Sequence, residues 1–296
     1  MQKEALKKAI AGKVLLITGG PGTGKTTLIN SFIKIMEKTR QRITLASPTG
    51  RAAKRLSEVT GHEAKTIHRM LEFSPKEGGF KRNEGNPLDA DVVVIDEVSM
   101  IDILLMNHLL KAISPGTTLL LVGDSDQLPS VGPGNVLHDI ISSGRVETVR
   151  LTEIFRQAKE SLIVVNAHRI NEGKFPQLDT QPGEHKDFYF VNRDDPQKVV
   201  EVIKELCKNR LPQSLHLDPL EDIQVMSPMH RGIAGVANLN AELQNLFNPD
   251  GKTVAGGGRL FRVNDKVMQI KNNYEKETFN GDIGRLVSVD LERIFQ

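Results

Sequence analysis

Residues 14–27 read VLLITGGPGTGKTT, and the order of these residues decides the fold. An apolar run suited to a buried strand enters a glycine-rich turn. A stretch with Leu28, Ile29, Phe32, Ile33 and Met36 at helical spacing follows. Strand, glycine turn and helix are the setting in which G-x-x-x-x-G-K-[ST] binds phosphate. Glycines there let backbone N–H groups crowd around an anion, and the helix N-terminus adds partial positive charge. Gly20, Pro21, Gly22, Thr23, Gly24, Lys25, Thr26 and Thr27 are therefore candidate nucleotide contacts. Lys25 would reach the β- and γ-phosphates and the Thr26 hydroxyl would bind Mg²⁺. A chance glycine turn before a helix would require neither the lysine nor the threonine.

Four further apolar runs follow, at Ile43–Ser47, Val92–Asp96, Leu119–Gly123 and Val146–Leu151, with helical patterns between them. Continuous apolar runs suit parallel strands covered on both faces. The expected class is α/β, with the ligand at the carboxyl ends of the strands. Two of those ends are polar. VVVIDEVSM (92–100) delivers Asp96 as a metal ligand and Glu97 to orient and deprotonate an attacking water. LLLVGDSDQLPSVGPG (119–134) delivers Gln127, placed to contact the γ-phosphate, while Asp124 serves either the chemistry or a turn cap. RLTEIFRQA (150–158) supplies Arg156, an arginine placed to cross a cleft toward the γ-phosphate.

At 296 residues the chain is too long for one ordinary core, so two domains are expected. Hydrophobic content of 39% and charged content of 26% are those of a globular protein. The net charge of +2 does not argue for nucleic acid, but residues 40–69 carry seven basic side chains to two acidic ones, which fits either a solvated helix face or a polyanion site. A single cysteine, Cys207, excludes an intrachain disulfide or zinc framework. No apolar stretch is long enough to span a membrane and the N-terminus has no signal-peptide core, so a cytoplasmic location is expected. Residues 72–91, rich in Gly, Pro, Asn and charge, break the strand–helix rhythm, and Gly78–Gly79 is a candidate hairpin turn. Farther on, helices are expected at Leu162–Gly173 and His230–Phe247. Strands are expected at Asp187–Val191, Ile223–Ser227, Lys266–Ile270 and Ile283–Val289, with a flexible loop at Gly251–Gly258.

The motifs in this order resemble superfamily 1 DNA helicases, and within them the RecD-like branch that includes the exodeoxyribonuclease V alpha subunit. The likeness rests on GGPGTGKTT, ASPTGRAAKRLSE (46–58), TIHRML (66–71), VVVIDEVSM, GDSDQLPSVGPGNVL, LTEIFRQA and NDKVMQIKNNYEKETFNGDIG (264–284). It implies a RecA-like P-loop NTPase domain over residues 1–71 and 90–153, an inserted strand-separating hairpin (pin) at 72–89, and a partial second RecA-like domain over 154–296. It implies ATP and Mg²⁺ as cofactors, 5′-to-3′ translocation on single-stranded DNA, and action at duplex/single-strand junctions. Thr49, Arg51, His68 and Arg69 map onto DNA-contacting motifs, although a core or capping role suits His68 as well. Phe80, Lys81 and Arg82 map near the pin tip, and Gln2 maps onto the adenine-recognising glutamine. Two later motifs of the family, one with a histidine-lysine-serine-glutamine-glycine core and one bearing an arginine, do not occur here. A truncated piece of a longer helicase is therefore expected. Two alternatives to an active helicase remain: a nucleotide- and DNA-binding module with little turnover, or a motor subunit of a nuclease complex.

Overall fold

The computed structural model describes residues 2–74, 78–153, 160–178, 187–256, 259–271, 273, 276, 278 and 280–288. Two compact units divide the chain, Met1–Tyr189 and Phe190–Gln296.

In the first unit, helix α1 (Gln2–Ala11) leads into β1 (Val14–Gly19), and α2 (Lys25–Lys38) follows the glycine turn. Then come β2 (Ile43–Ser47), α3 (Gly50–Thr60), β3 (Ala64–Thr66), α4 (Ile67–Met70), β4 (Phe73–Ser74), β5 (Gly79–Phe80) and β6 (Val92–Ile95). A 3₁₀ turn at Val98–Met100 precedes α5 (Ile103–Lys111), β7 (Thr118–Gly123), α6 (Val136–Ser143), β8 (Thr148–Leu151) and α7 (Leu162–Asn171).

Six strands form one sheet in the order β3-β2-β6-β7-β1-β8, and every pairing is parallel. The apolar runs are continuous because alternate side chains serve two different cores. Leu16, Val93, Ile95, Leu119 and Leu121 pack with Ile67, Met106, Leu109 and Leu137. Leu15, Ile17, Val92, Val94, Leu120 and Val122 pack with Ala5, Leu28, Phe32, Ile33 and Leu56. The result is a three-layer α/β/α unit whose strand ends converge along one edge.

Local sequence sets the helix ends. Thr49 caps α3, its hydroxyl accepting from Ala52 N at 3.3 Å, and Gly61 closes the helix in the left-handed region at φ 73°. Asp102 caps α5, accepting from Leu105 N at 2.7 Å. Ser161 caps α7, accepting from Val164 N at 3.3 Å.

The expected hairpin is present: β4 and β5 pair antiparallel, Phe73 opposite Phe80 and Ser74 opposite Gly79. Phe80, Lys81 and Arg82 are therefore not near the tip but at the root. Lys81 N donates to Glu72 O at 3.3 Å and Arg82 N to Leu71 O at 3.1 Å, which fixes them there.

No strand forms at Asp187–Val191. Asp187 instead accepts from Ser161 Oγ at 2.5 Å and Leu162 N at 2.8 Å at the start of α7. The Ser161 bond, followed by the backbone bonds, holds its carboxyl below the usual aspartate range.

The second unit contains α8 (Pro196–Glu205), a π-helical turn at Leu206–Arg210, α9 (Leu211–Leu215) and α10 (Val236–Phe247). Two antiparallel pairs follow: β9 (Thr253–Gly256) with β10 (Arg259–Arg262), and β11 (Lys266–Met268) with β12 (Ile283–Arg285). Helix α10 starts at Val236 rather than His230, and residues 251–258 contain a paired strand. Ile223–Ser227 forms no strand; Ile223 O instead accepts from Lys266 Nζ at 2.9 Å. The buried Asp265 carboxylate organises this unit, accepting from Gln244 Nε2 at 2.6 Å, Asn248 Nδ2 at 2.8 Å and Arg262 N at 2.6 Å. Cys207 is a buried thiol whose pKa burial pushes up.

Candidate nucleotide site and nucleic-acid surface

The glycine turn after β1 is shaped for an anion. A Cβ at Gly19 would stand 2.7 Å from Thr23 Oγ1 and 2.8 Å from Leu151 O, so only glycine lets the loop close against β8. Gly24 sits in the left-handed region at φ 82° where the chain enters α2. Thr23 Oγ1 donates to Gly20 O at 2.8 Å, and Lys25 Nζ donates to Gly19 O at 2.5 Å and Gly20 O at 3.2 Å. Gln2 Nε2 reaches the far side of the loop, donating to Thr23 O at 3.2 Å. Thr26 and Thr27 stand in the first turn of α2, Thr27 facing solvent.

Asp96 and Glu97 leave the end of β6 beside this loop. Burial raises the pKa of the Asp96 carboxyl, opposed by a bond from Glu97 N and by the charges of Lys25 and Arg55. Burial and then the Asp96 charge raise Glu97, again opposed by Lys25. The Lys25 charge thus favours the ionised form of both carboxyls, which follow β6 at the same sheet edge as the loop that follows β1. Glu97 adopts φ 56°, a left-handed conformation that a glutamate rarely takes, and strain of this kind collects at working sites. Its Oε2 is buried without a hydrogen-bond partner. A buried lone pair with no partner is costly in a resting fold and suits a base waiting for a proton.

The turn after β7 supports the same edge. Thr18 Oγ1 accepts from Ser125 N at 3.0 Å, tying β1 to this turn. The Asp124 carboxylate accepts from Asp126 N at 3.0 Å, so the turn-cap reading of Asp124 is the one the structure shows. Gln127 Oε1 accepts from Ser99 Oγ at 3.4 Å, which links it to the 3₁₀ turn that follows Glu97. Sequence reasoning passed over Thr18 and Ser99, because hydroxyls inside apolar runs look like filler until the strands are paired. Arg156 lies outside the described residues.

These groups fit a magnesium–triphosphate complex. The loop offers N–H groups and an ammonium to the anion, and Thr26 with Asp96 offers oxygen ligands to the cation. Among the described residues no group of three His, Cys, Asp or Glu side chains could hold a metal. Mg²⁺ is commonly held by one or two protein oxygens together with substrate phosphates, and Thr26 and Asp96 would be those oxygens here.

The residues mapped to DNA divide. Arg51 is exposed on the first turn of α3, and Thr49, although it accepts as the helix cap, keeps its own hydroxyl proton to donate. His68 and Arg69 lie on α4. The His68 ring packs edge-on to Phe73 at 5.7 Å and beside Phe80 at 5.6 Å, and Phe80 meets His108 at 4.7 Å. Phe80 is therefore part of the hairpin's hydrophobic root. Arg82 clamps Glu72 through Nε and Nη2, both at 2.8 Å, and donates to Pro87 O at 3.2 Å.

Burial lowers the His68 pKa below the usual histidine value; His108 adds to this and Asp102 opposes it. The unfolded chain then takes up a proton at a pH where the folded chain does not. Stability is expected to fall as pH drops through about 6.5. Urea unfolding at pH 7.5 and 5.5 checks this: the loss should be smaller in His68→Gln, and an equal loss would place the penalty elsewhere.

Comparison with known proteins agrees with this geometry. Residues 2–133 match the AAA domain family, and residues 239–294 match the SH3 domain of ATP-dependent RecD-like DNA helicases. The ATP-dependent RecD2 DNA helicase of Deinococcus radiodurans is 36% identical, across 99% of this chain and 39% of that protein. The RecBCD enzyme subunit RecD of Mycolicibacterium smegmatis is 31% identical, across 97% of this chain and 57% of that protein. The chain thus spans less than two thirds of either relative. A solved structure describing DNA unwinding at forked duplex DNA by two coordinating Pif1 helicases superposes with a TM-score of 0.52 at 17% identity. It covers 98% of this chain and 71% of the other, and supports the RecA-like fold of the parallel sheet. No described helix is long and apolar enough to cross a membrane.

Proposed function

The chain belongs to the RecD-like DNA helicase family, and from that premise we propose that it supplies the ATP-hydrolysing motor of an ATP-dependent DNA helicase that moves 5′-to-3′ on single-stranded DNA. One observation carries the reading: the half-buried Asp96 and Glu97 follow β6 at the sheet edge where Lys25 is tied into the glycine cradle after β1, and the Lys25 charge favours the ionised form of both.

Bound there, Mg²⁺·ATP supplies a phosphoryl group whose transfer needs positioning and charge neutralisation more than covalent help. Lys25 exchanges its loop carbonyls for phosphate oxygens. Thr26 and Asp96 would hold the cation, which would neutralise charge on the phosphates. Glu97 orients the attacking water and takes its proton on the unpaired carboxylate oxygen. Gln127 reads the γ-phosphate and passes its state through Ser99 to the turn after Glu97. Arg156 neutralises charge on the γ-phosphate, and Gln2 recognises the adenine edge. Thr49, Arg51, His68 and Arg69 hold backbone phosphates without reading sequence. The hairpin at 72–89 splits the duplex at a junction, with Phe80, Lys81 and Arg82 bracing its root. The second unit, from Phe190 onward, forms part of the second motor domain and carries the SH3-like segment, so the boundary lies later than residue 154. The working compartment is the cytoplasm.

ATP hydrolysis measured with and without single-stranded DNA tests the motor reading. The rate should rise severalfold with DNA. Little turnover with or without DNA would favour the nucleotide- and DNA-binding module, and brisk turnover that DNA leaves unchanged would contradict the motor reading. A second reading, a motor subunit within a nuclease complex, draws on the 31% identity to a RecBCD subunit; stable co-purification with a nuclease chain would favour it.

A further inference from the structure

Helix α7 brings an imidazole onto the phosphate loop. His168 Nε2 lies 3.3 Å from the Pro21 carbonyl oxygen. The same ring covers Gly20: a Cβ built there would stand 2.7 Å from His168 Cε1 and 3.3 Å from Nε2. Gly20 is not in the left-handed region, so the ring, not the backbone, keeps this position free of a side chain. A carbonyl oxygen only accepts, so the contact is a hydrogen bond when Nε2 carries the proton.

The ring is delivered by a braced helix. Asn166, fully buried, donates to Gln177 O at 2.9 Å and accepts from Gln177 N at 2.6 Å. Arg169 Nε donates to Phe175 O at 2.8 Å. With Ser161 and Asp187 at its start, α7 is pinned at both ends and in its middle.

Resting on the nucleotide-site reading above, we infer that His168 is a positioning residue for the nucleoside triphosphate. It holds the Pro21–Gly22 peptide of the cradle, and covers Gly20, in the shape that receives phosphate. The loop is tied on two sides, by Gln2 at Thr23 and Gly24 and by His168 at Pro21. A bound triphosphate draws Lys25 away from Gly19 O and Gly20 O, and the first half of the loop then depends on His168 for its tie to a neighbouring helix.

Equilibrium titration with a fluorescent non-hydrolysable ATP analogue tests this, with thermal melting as the check on folding. His168→Ala should weaken binding about five- to tenfold, the worth of one hydrogen bond. His168→Gln, whose amide can still donate, should recover most of that. Gly20→Ala, whose methyl displaces the ring, should weaken binding similarly, and the Gly20→Ala/His168→Ala double variant should be no weaker than either single one. Wild-type binding in His168→Ala, or additive losses in the double variant, would overturn the inference. Lys25→Ala separates the two levels. Undiminished binding there would remove the site itself, whereas loss there with full binding in His168→Ala would remove only this role.

Discussion

Glu97→Gln is expected to bind nucleotide about as well as the wild-type chain and to hydrolyse it roughly a thousandfold more slowly, within the range that general-base catalysis supplies. The substitution keeps the shape of the side chain and removes only the oxygen that takes a proton. It leaves the left-handed turn and the Asp96 Oδ1 bond to the backbone N–H at 97 in place. Single-turnover hydrolysis beside an equilibrium binding titration separates the two effects. The same change should stabilise the ligand-free fold at neutral pH. Burial and the Asp96 charge hold the Glu97 pKa above its unfolded value, so the ionised carboxylate works against folding. That penalty grows as pH rises from the ordinary glutamate value through the raised one, and is absent below both. A variant hydrolysing at the wild-type rate would show that the proton goes elsewhere.

Lys25→Ala is expected to weaken triphosphate binding and to lower hydrolysis by about a hundredfold or more, the usual result of deleting one preorganised charge donor. Two things are lost together. The ammonium no longer meets the phosphates, and its ties to Gly19 O and Gly20 O disappear from the resting loop. The two carboxylates also lose a nearby positive charge, so both should become harder to ionise. Lys25→Arg keeps charge but not size or geometry, and should recover only part of the loss. Hydrolysis at a saturating and a limiting nucleotide concentration reads binding and chemistry separately.

Much of the first unit was legible because its information is contiguous. The phosphate loop, Asp96–Glu97 and the turn after β7 each occupy a few adjacent residues at a strand end. Apolar runs that alternate between two cores still read as strands. The hairpin was legible from its glycines, but its anchoring was not. Phe80 and Arg82 look like an aromatic and a cation available for DNA, yet one packs between His68, Phe73 and His108 and the other clamps Glu72. His168 was invisible for the same reason. Its role depends on α7 lying against a loop about 150 residues earlier in the chain, and no local pattern encodes that distance. Ile223–Ser227 is a short apolar segment that reads as a strand, but local composition cannot supply a pairing partner.

A crystal structure with Mg²⁺ and a non-hydrolysable ATP analogue tests the central claim most directly. The β- and γ-phosphates should lie in the loop 19–26 against Lys25, with the cation between the Thr26 hydroxyl and Asp96 and with Glu97 on the γ-phosphate side. A triphosphate bound away from that loop, or a cation that neither Thr26 nor Asp96 approaches, would contradict the account.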